Sequence, residues 1–586
     1  MSDFIYTRKR MKEQVLSQYV TSIYEGDSPF VMEYHGEWGS LAVSRSHYAG
    51  FEPYETEKYI CIVIGGPVLC YEENKHLAFS KNNEGTSSIF HRWKKGEFQP
   101  EEDVSGPFVL FIMDKETYEM TCMTDLMSFI PVYVYQEKEN VMLSTHVDVL
   151  AKASDQSEQI DEVSQVDFVL YGAVTYPYTN YINIKQIAPA SIHEVKGSNF
   201  HVTPYWIPKE ENKYHSLADA AKELRKGLES YVNAITDHTD NVAQFLSGGE
   251  DSRVISALLA HKKNRNAYIF LEEMNREGEI AEKAAKAYDA NLKVVTHNKM
   301  RYLTMLPNCS ELVGSGAQYF HVHTYGIHKE CQFEKYTAVF GGLLADALLK
   351  GSHIRKLKGT HLVPFFPHIK RGNYSASESI SHPVFKKEVL VDLQKRRTEH
   401  LNYVKEFRTE SAEEWFELWP SSMNVNISNI HGNRRLFSSY EPFTAKDVVK
   451  LSAKVSQSWK LNRRLFHKAV KPYLKPTQWL FHGEGKLPYY PWYINSFVQA
   501  SIWSVREIEK KVNKNAKYQG PWFDWNSILS SKEWKETVSQ YSDGLSVLEK
   551  QLNETDLQQL FQTNQLNFVQ KINLLQMLYV NHTNKK

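Results

Sequence analysis

The sequence has little that would tie it to a membrane, a nucleic acid or a redox centre. Lys+Arg and Asp+Glu number 69 each, so no net field draws a polyanion or an anionic bilayer toward the chain at long range. The longest apolar runs, "YICIVIGGPVLCY" and "GPFVLFIM", fall short of the about twenty residues needed to span hydrocarbon, and "MSDFIYTRKRMKEQ" lacks the apolar core of a signal peptide. A cytoplasmic location is expected, with no nucleic-acid or membrane partner. The five cysteines (Cys61, Cys70, Cys122, Cys309, Cys331) form no C-x-x-C pair and sit in mostly apolar surroundings, so buried free thiols are expected in place of a metal site or disulfides. No internal repeat or low-complexity tract appears. The composition is that of a soluble globular protein, and 586 residues are enough for at least two cores.

Two textures divide the chain. From Tyr59 to about Lys196, short β-rich runs ("YICIVIGG", "GPFVLFIMD", "EMTCMTD", "FIPVYVYQ", "NVMLSTH") alternate with turn residues, the pattern of a sheet-dominated domain. After the polar, proline-containing "PYWIPKEENKYHS", helical periodicity begins: Leu217, Ala221, Leu224, Leu228 and Val232 recur at three- and four-residue intervals. The boundary is placed near residue 207, giving domains 1–206 and 207–586. In the second domain "NVAQFL", "AYIFLE", "LKVVTH" and "YTAVFGG" read as strands, and "DSRVISALLAHK", "GEIAEKAAKAYDA" and "ADALLKG" as helices. That alternation predicts a doubly wound parallel sheet, whose ligands bind beyond the carboxyl ends of its strands. Farther on, "SIWSVREIEKKVN", "PWFDW" and "INLLQMLYVN" read as helices with aromatic anchors in a core.

One such strand end carries "QFLSGGEDSRV". Gly248 and Gly249 let the backbone turn and expose its N–H groups, and the helix opening near Asp251 directs its positive end to the same place, which favours an anion. Ser247 and Ser252 add hydroxyls. An acidic residue in a phosphate site makes sense if Asp251 holds Mg²⁺ that bridges phosphate oxygens. The plain alternative is a capped strand-to-helix turn; the full Ser-Gly-Gly-x-Asp-Ser after a buried strand favours a nucleotide. Gly341 and Gly342 mark a second strand end.

"SGGEDS" resembles the pyrophosphate loop of the asparagine-synthetase-like ATP pyrophosphatases, which include asparagine synthetase, β-lactam synthetase and the lasso-peptide cyclases. "GGLLADALLKG" sits where that family has a second loop of the type S-G-x-G-x-D-x-x-x-G-G. "EPFTAKDVVKLS", "LNRRLFHKAV" and "GEGKLPYY" resemble later segments in the family's order, and "GPFVLFIMDKETYEMTCMTDLMSFIPVYVYQ" is similar to its glutaminase-like domain. The resemblance implies an antiparallel glutaminase-like (Ntn-type) first domain and an ATP pyrophosphatase second domain with a helical extension. It implies an AMP- and pyrophosphate-forming ligase that adenylates a carboxylate and passes it to an amine, with a biosynthetic tailoring or ring-closing role. Asp251 and Asp346 are implied to hold Mg²⁺, Leu246 and Phe270 to meet the adenine, and Lys486 to be the cation at the scissile phosphate; Arg253, Arg463 and Arg464 are weaker candidates. For Leu246 and Phe270 the plain alternative is core, and for Lys486 a solvated loop.

Two departures from that pattern stand out. Family members that hydrolyse glutamine expose an amino-terminal cysteine, whereas the second residue here is Ser2, so glutaminase activity is not expected and the amine must come from elsewhere. Three residues before Asp346, where relatives have Glu or Tyr, stands Leu343, which accepts no proton. The base is then sought at Tyr440 or Glu441, with His431 behind them; for each a packing role is the plain alternative. Two other readings stay open at this point: a catalytically degenerate nucleotide-binding protein, and an ATP pyrophosphatase of RNA modification, which would want a basic face and sulfur-carrying cysteines that are not visible.

Overall fold

The computed structural model describes the chain apart from residues 1, 25, 27, 46, 79–81, 139, 198, 212, 263–264, 358–366, 371–378, 513–524, 554–555 and 586, and apart from the side chains of 503, 506–512 and 558. Residues 521–524 of the expected "PWFDW" helix lie outside the described residues.

Apolar alternation builds the first half into two facing six-stranded antiparallel sheets. One has the spatial order Ile184–Gln186, Tyr133–Glu137, Asn140–Ser144, Phe4–Thr7, Gly39–Ser44, Val31–Gly36; the other runs Asn199–Pro204, Ser191–Lys196, Met120–Thr124, Phe108–Asp114, Tyr59–Gly65, Tyr54–Glu55. Phe4, Tyr6, Leu41 and Val43 from the first sheet pack with Ile60, Ile62, Val109 and Phe111 from the second. Cys61 and Val63, on the opposite face of their strand, enter a separate core. Burial on both faces is why that strand reads as an unbroken apolar run. The strands before Tyr59 extend the sheet-rich region beyond the expected start. All five thiols are free; Cys61, Cys122 and Cys309 are buried and Cys331 is half-buried. Cys70 departs from the expectation of burial: it follows the two-residue strand Val68–Leu69 into a turn and is exposed.

The second half begins with helix α1 (Leu217–Thr236), capped by the Ser216 hydroxyl, which accepts from the Asp219 N–H. A parallel sheet follows, of β1 (Val242–Phe245), β2 (Asn266–Leu271), β3 (Asn291–Thr296), β4 (Ala338–Phe340) and β5 (Ser439–Tyr440), in the spatial order β3-β2-β1-β4-β5. Helices α2 (Glu250–Leu258), α3 (Arg276–Ala287) and α4 (Ala345–Leu349) occupy expected positions, so the doubly wound arrangement is present. The strand order reverses between β1 and β4, and ligands of such sheets bind at that reversal. Side chains of both halves share one core: Val63 and Leu110 lie in the same buried cluster as Leu224, Leu228 and Tyr440. Near the end of the chain, α5 (Phe568–Asn584) returns to the first half, where its Asn573 donates to the Phe168 carbonyl. Among the described residues no helix is long and apolar enough to cross a membrane.

Candidate functional site

Three neighbouring strands, β1, β4 and β5, end side by side. They deliver Leu246–Gly249, Gly341–Leu344 and Glu441 to one edge of the sheet. The first two segments touch: a Cβ added to Gly342 would stand 3.2 Å from that of Asp251. A Cβ on Gly341 would overlap the Glu441 carboxylate, so glycine is required there by close approach.

In the first loop neither Gly248 nor Gly249 has a positive φ among the described residues. The turn is shaped by hydrogen bonds. The Ser252 hydroxyl accepts from the Ser247 N–H at 3.1 Å, and the Ser247 hydroxyl accepts from the Gly249 N–H at 3.1 Å. The Gly248 N–H donates to Glu277 Oε1 at 2.7 Å, and a Cβ on Gly248 would lie 2.8 Å from that oxygen. Glu277, a residue the sequence did not single out, thus lays a carboxylate on a loop amide. Burial raises its pKa, with the Gly248 N–H opposing. Gly249 caps α2, whose first amides lack intrahelical acceptors and point out of the same loop.

The cation expected between Asp251 and Asp346 is supplied by a side chain. Lys350 Nζ lies 2.5 Å from Asp251 Oδ1, 3.0 Å from Glu250 Oε1 and 3.0 Å from Asp346 Oδ1. Glu250 also pairs with Arg463. Burial would raise the Glu250 carboxyl, but Arg463 and Lys350 bring it down to about 2; burial pushes Asp251 up to about 7 against the pull of Lys350. Among the described residues no group of three or more His, Cys, Asp or Glu side chains is arranged to hold a metal ion. With their charge already met by an ammonium, Asp251 and Asp346 do not fit a magnesium ion held by the chain itself.

Glu441 is 3 % exposed; its Oε2 accepts from the Leu343 N–H at 2.9 Å and its Oε1 has no partner. Burial pushes its pKa up to about 8, with the Leu343 N–H opposing. A cavity of about 10 Å³ beside it, with Tyr48, Gly66, Tyr231, Tyr440 and Arg434 in its wall, has the volume of one water. Tyr440 is packed edge-on against Tyr48 and beside Phe340, so its ring is core. His431 is buried on the far side, its pKa lowered by burial and then by Arg435 and Arg434; it is not part of this edge.

Residues 480–486 lie across the first loop. Arg253, fully buried, donates to the Leu480, Phe481 and Gly248 carbonyls at 2.7–2.9 Å and clips the two segments together, a clamp in place of the ligand-binding cation considered above. His482 lies over Gly249, 3.9 Å from where a Cβ would stand. Lys486 is partly exposed and pairs with Glu484 at 2.6 Å. Burial and then the charge of Lys486 lower the pKa of Lys356, which Asp346 opposes. Arg464 is exposed. The Leu246 side chain is 1 % exposed, packed with Ala267, Ala284 and Ala285, and offers no face to a nucleobase. Phe270 lies on the other face of the sheet in a ring cluster with Phe245 and Phe333.

At the far edge of the first half, Ser2 and Asp3 are buried beneath α6 (Ile427–Leu436). Ser2 is 1 % exposed and its carbonyl accepts from Arg434. Asp3 accepts from Arg434 at 3.0 Å and from Arg435 at 2.7 and 2.8 Å. Burial would raise its pKa, but the two guanidinium groups hold it far below the usual carboxylate range.

Comparison with known proteins finds two family models in this chain. A family model described as asparagine synthase matches residues 223–479, and one described as a glutamine amidotransferase domain matches residues 38–206. The chain is 20% identical over 176 residues to asparagine synthetase [glutamine-hydrolyzing] 3 of Bacillus subtilis (strain 168), covering 30% of this chain and 29% of that protein. Among solved structures, glutamine phosphoribosylpyrophosphate amidotransferase from B. subtilis aligns over 50% of this chain and 65% of its own at 10% identity and a TM-score of 0.24. The NH3-dependent NAD synthetase from Campylobacter jejuni aligns over 38% of this chain and 93% of its own, at 15% identity and a TM-score of 0.18. Both scores are too low to bear on the fold.

Proposed function

Because this chain belongs to the asparagine-synthetase-like family, we propose that it is an ATP-dependent ligase that transfers AMP to a carboxylate, releases pyrophosphate and passes the acyl group to an amine. The observation that carries this reading is the alignment of strand ends at the sheet's reversal. A loop of small residues opening onto a helix N-terminus stands beside a buried carboxyl group that has one oxygen unpartnered. Adenylation turns a poor electrophile into a good one and divides one hard step into two easier ones. Here the amides at the start of α2 would face the β- and γ-phosphates, and Lys486 and Lys356 would meet charge that develops on the departing pyrophosphate. Magnesium would shield phosphate charge when it arrives with the nucleotide; the chain's own carboxylates do not fit it as a resident ion.

Glu441 is the group we assign to take a proton from the attacking amine, in place of Leu343, because it lies against the second loop with Oε1 unpartnered and, once ionised as pH rises through about 8, can accept that proton. The amine is taken as a free molecule or a group on the substrate. The burial of Ser2 beneath Arg434 supports a first domain that does not hydrolyse glutamine. Incubation with ATP, Mg²⁺ and candidate acids should yield AMP and pyrophosphate in equal amounts, and Lys486→Ala should lower the rate by about 100-fold. Release of ADP overturns the assignment, and support by glutamine equal to that by ammonium overturns the account of the first domain. A nucleotide-binding protein without chemistry is the competing reading, favoured by Leu343 standing where relatives have Glu or Tyr; it requires ATP binding with no turnover for any acid.

A further inference from the structure

We propose that Lys350 is this chain's built-in replacement for a divalent ion at the seat between Asp251 and Asp346, so that the free protein holds no magnesium there. This rests on the reading that a nucleotide tail lies at residues 247–252. Lys350 stands four residues after Asp346, one helical turn on and on the same face. The side chain crosses to the first loop, where its ammonium meets carboxylates from segments about a hundred residues apart. Its Nζ lies within 3.0 Å of a carboxylate oxygen of each of Glu250, Asp251 and Asp346. The Phe466 ring closes another side, 4.5 Å from Nζ, and the side chain is 8 % exposed.

Glu250 belongs to the same arrangement. It occupies the variable position of Ser-Gly-Gly-x-Asp-Ser and adds a third carboxylate, buried and joined to both Lys350 and Arg463. Lys350 and Arg463 offset two of the three carboxylates without a metal. A divalent ion entering this seat would have to displace an ammonium from the carboxylates that compensate its burial, which is costly. The lysine also ties α4 to the amino-terminal turn of α2, the work a bridging ion would otherwise do.

The test is Mn²⁺ uptake by the full chain without nucleotide, followed by the electron paramagnetic resonance of free Mn²⁺. Wild type and Asp346→Asn are expected to take up Mn²⁺ alike, within about twofold in affinity, because Asp346 ligates Lys350 and no metal. Asp346 is 73% exposed, so its replacement leaves the fold intact. Lys350→Gly is expected to gain about one site per chain, lost again in the Lys350→Gly, Asp346→Asn double variant. A wild-type Mn²⁺ site abolished by Asp346→Asn overturns the proposal, as does a Lys350→Gly protein of wild-type circular dichroism that gains no site. If Lys350→Gly does not fold, the comparison of wild type with Asp346→Asn decides alone. Since no ATP is present, failure here is distinct from failure to release pyrophosphate.

Discussion

Glu441 gives the most direct test at the scale of one residue. Its carboxyl stays protonated up to about pH 8 in the folded chain, whereas in the unfolded chain it ionises near its ordinary value. If it acts as the base, the rate rises with pH and levels off above about 8, and Glu441→Gln removes that rise and about 100-fold of the rate. The same shift has a consequence for stability. The native state retains a proton that the unfolded state has lost, so the contribution is full below the ordinary carboxyl pKa and is lost as pH rises through about 8. Denaturant midpoints measured between those limits should fall more steeply with pH for wild type than for Glu441→Gln. Asp125, which burial likewise raises to about 7, contributes equally to both proteins and cancels in the difference. Equal slopes would mean that Glu441 is ionised throughout. Glu441 and Asp251 drew notice in the sequence because one stands just before "PFTAKDVVKLS" and the other lies within "SGGEDS". Lys350 could not, since "ALLKG" reads as the end of a helix with a solvated lysine, and its partners Glu250 and Asp251 lie far upstream. Leu246 and Phe270 were read by position at strand ends, which does not reveal that their side chains turn into apolar packing on opposite faces of the sheet.

At the scale of elements, α5 is the piece whose loss should be felt farthest from itself. Leu574, Leu575, Met577 and Leu578 are fully buried, and Asn573 and Asn581 bond to helix Glu162–Tyr171 of the first half. Leu575→Ala should cost about 2–5 kcal/mol, and hydrogen exchange should quicken in both helices. Faster exchange in α5 alone would show that the two do not stabilise each other. The periodicity of "INLLQMLYVN" announced a buried helix but not its partner, because pairing across about four hundred residues leaves no local trace. For the same reason β5 went unread: two residues hold no period, and only the parallel register with β4 makes them a strand. The run Tyr59–Gly65 was legible because burial on both faces demands continuous apolar sequence. Phe4–Thr7 and Gly39–Ser44 are buried along their whole length, yet Thr7, Ser40 and Ser44, whose hydroxyls bond to neighbouring segments, hide them from an apolar count.

At the scale of the whole molecule, the two halves are joined by charge as well as by a shared apolar core. Asp3 is fully buried, and Arg434 and Arg435 reach it from α6 in the second half; Tyr24 and Thr145 each add a hydrogen bond at 2.9 Å. Removing one partner of a buried ion pair costs more than the pair contributes, because the remaining charge is stranded, so Arg435→Met should destabilise by about 3–5 kcal/mol. The sign of its pH dependence follows from the depressed pKa of Asp3: the contribution is present above the ordinary aspartate value and is lost as pH falls below it. The gap between wild type and Arg435→Met should therefore narrow when unfolding is followed from neutral toward acid pH. Calorimetry can separate a joined molecule from two tethered ones. With Val63 and Leu110 in one cluster with Leu224 and Tyr440, the substitution should lower a single transition for the whole chain. Two transitions, of which only one moved, would mean that the halves unfold independently and that the pair serves the first domain alone.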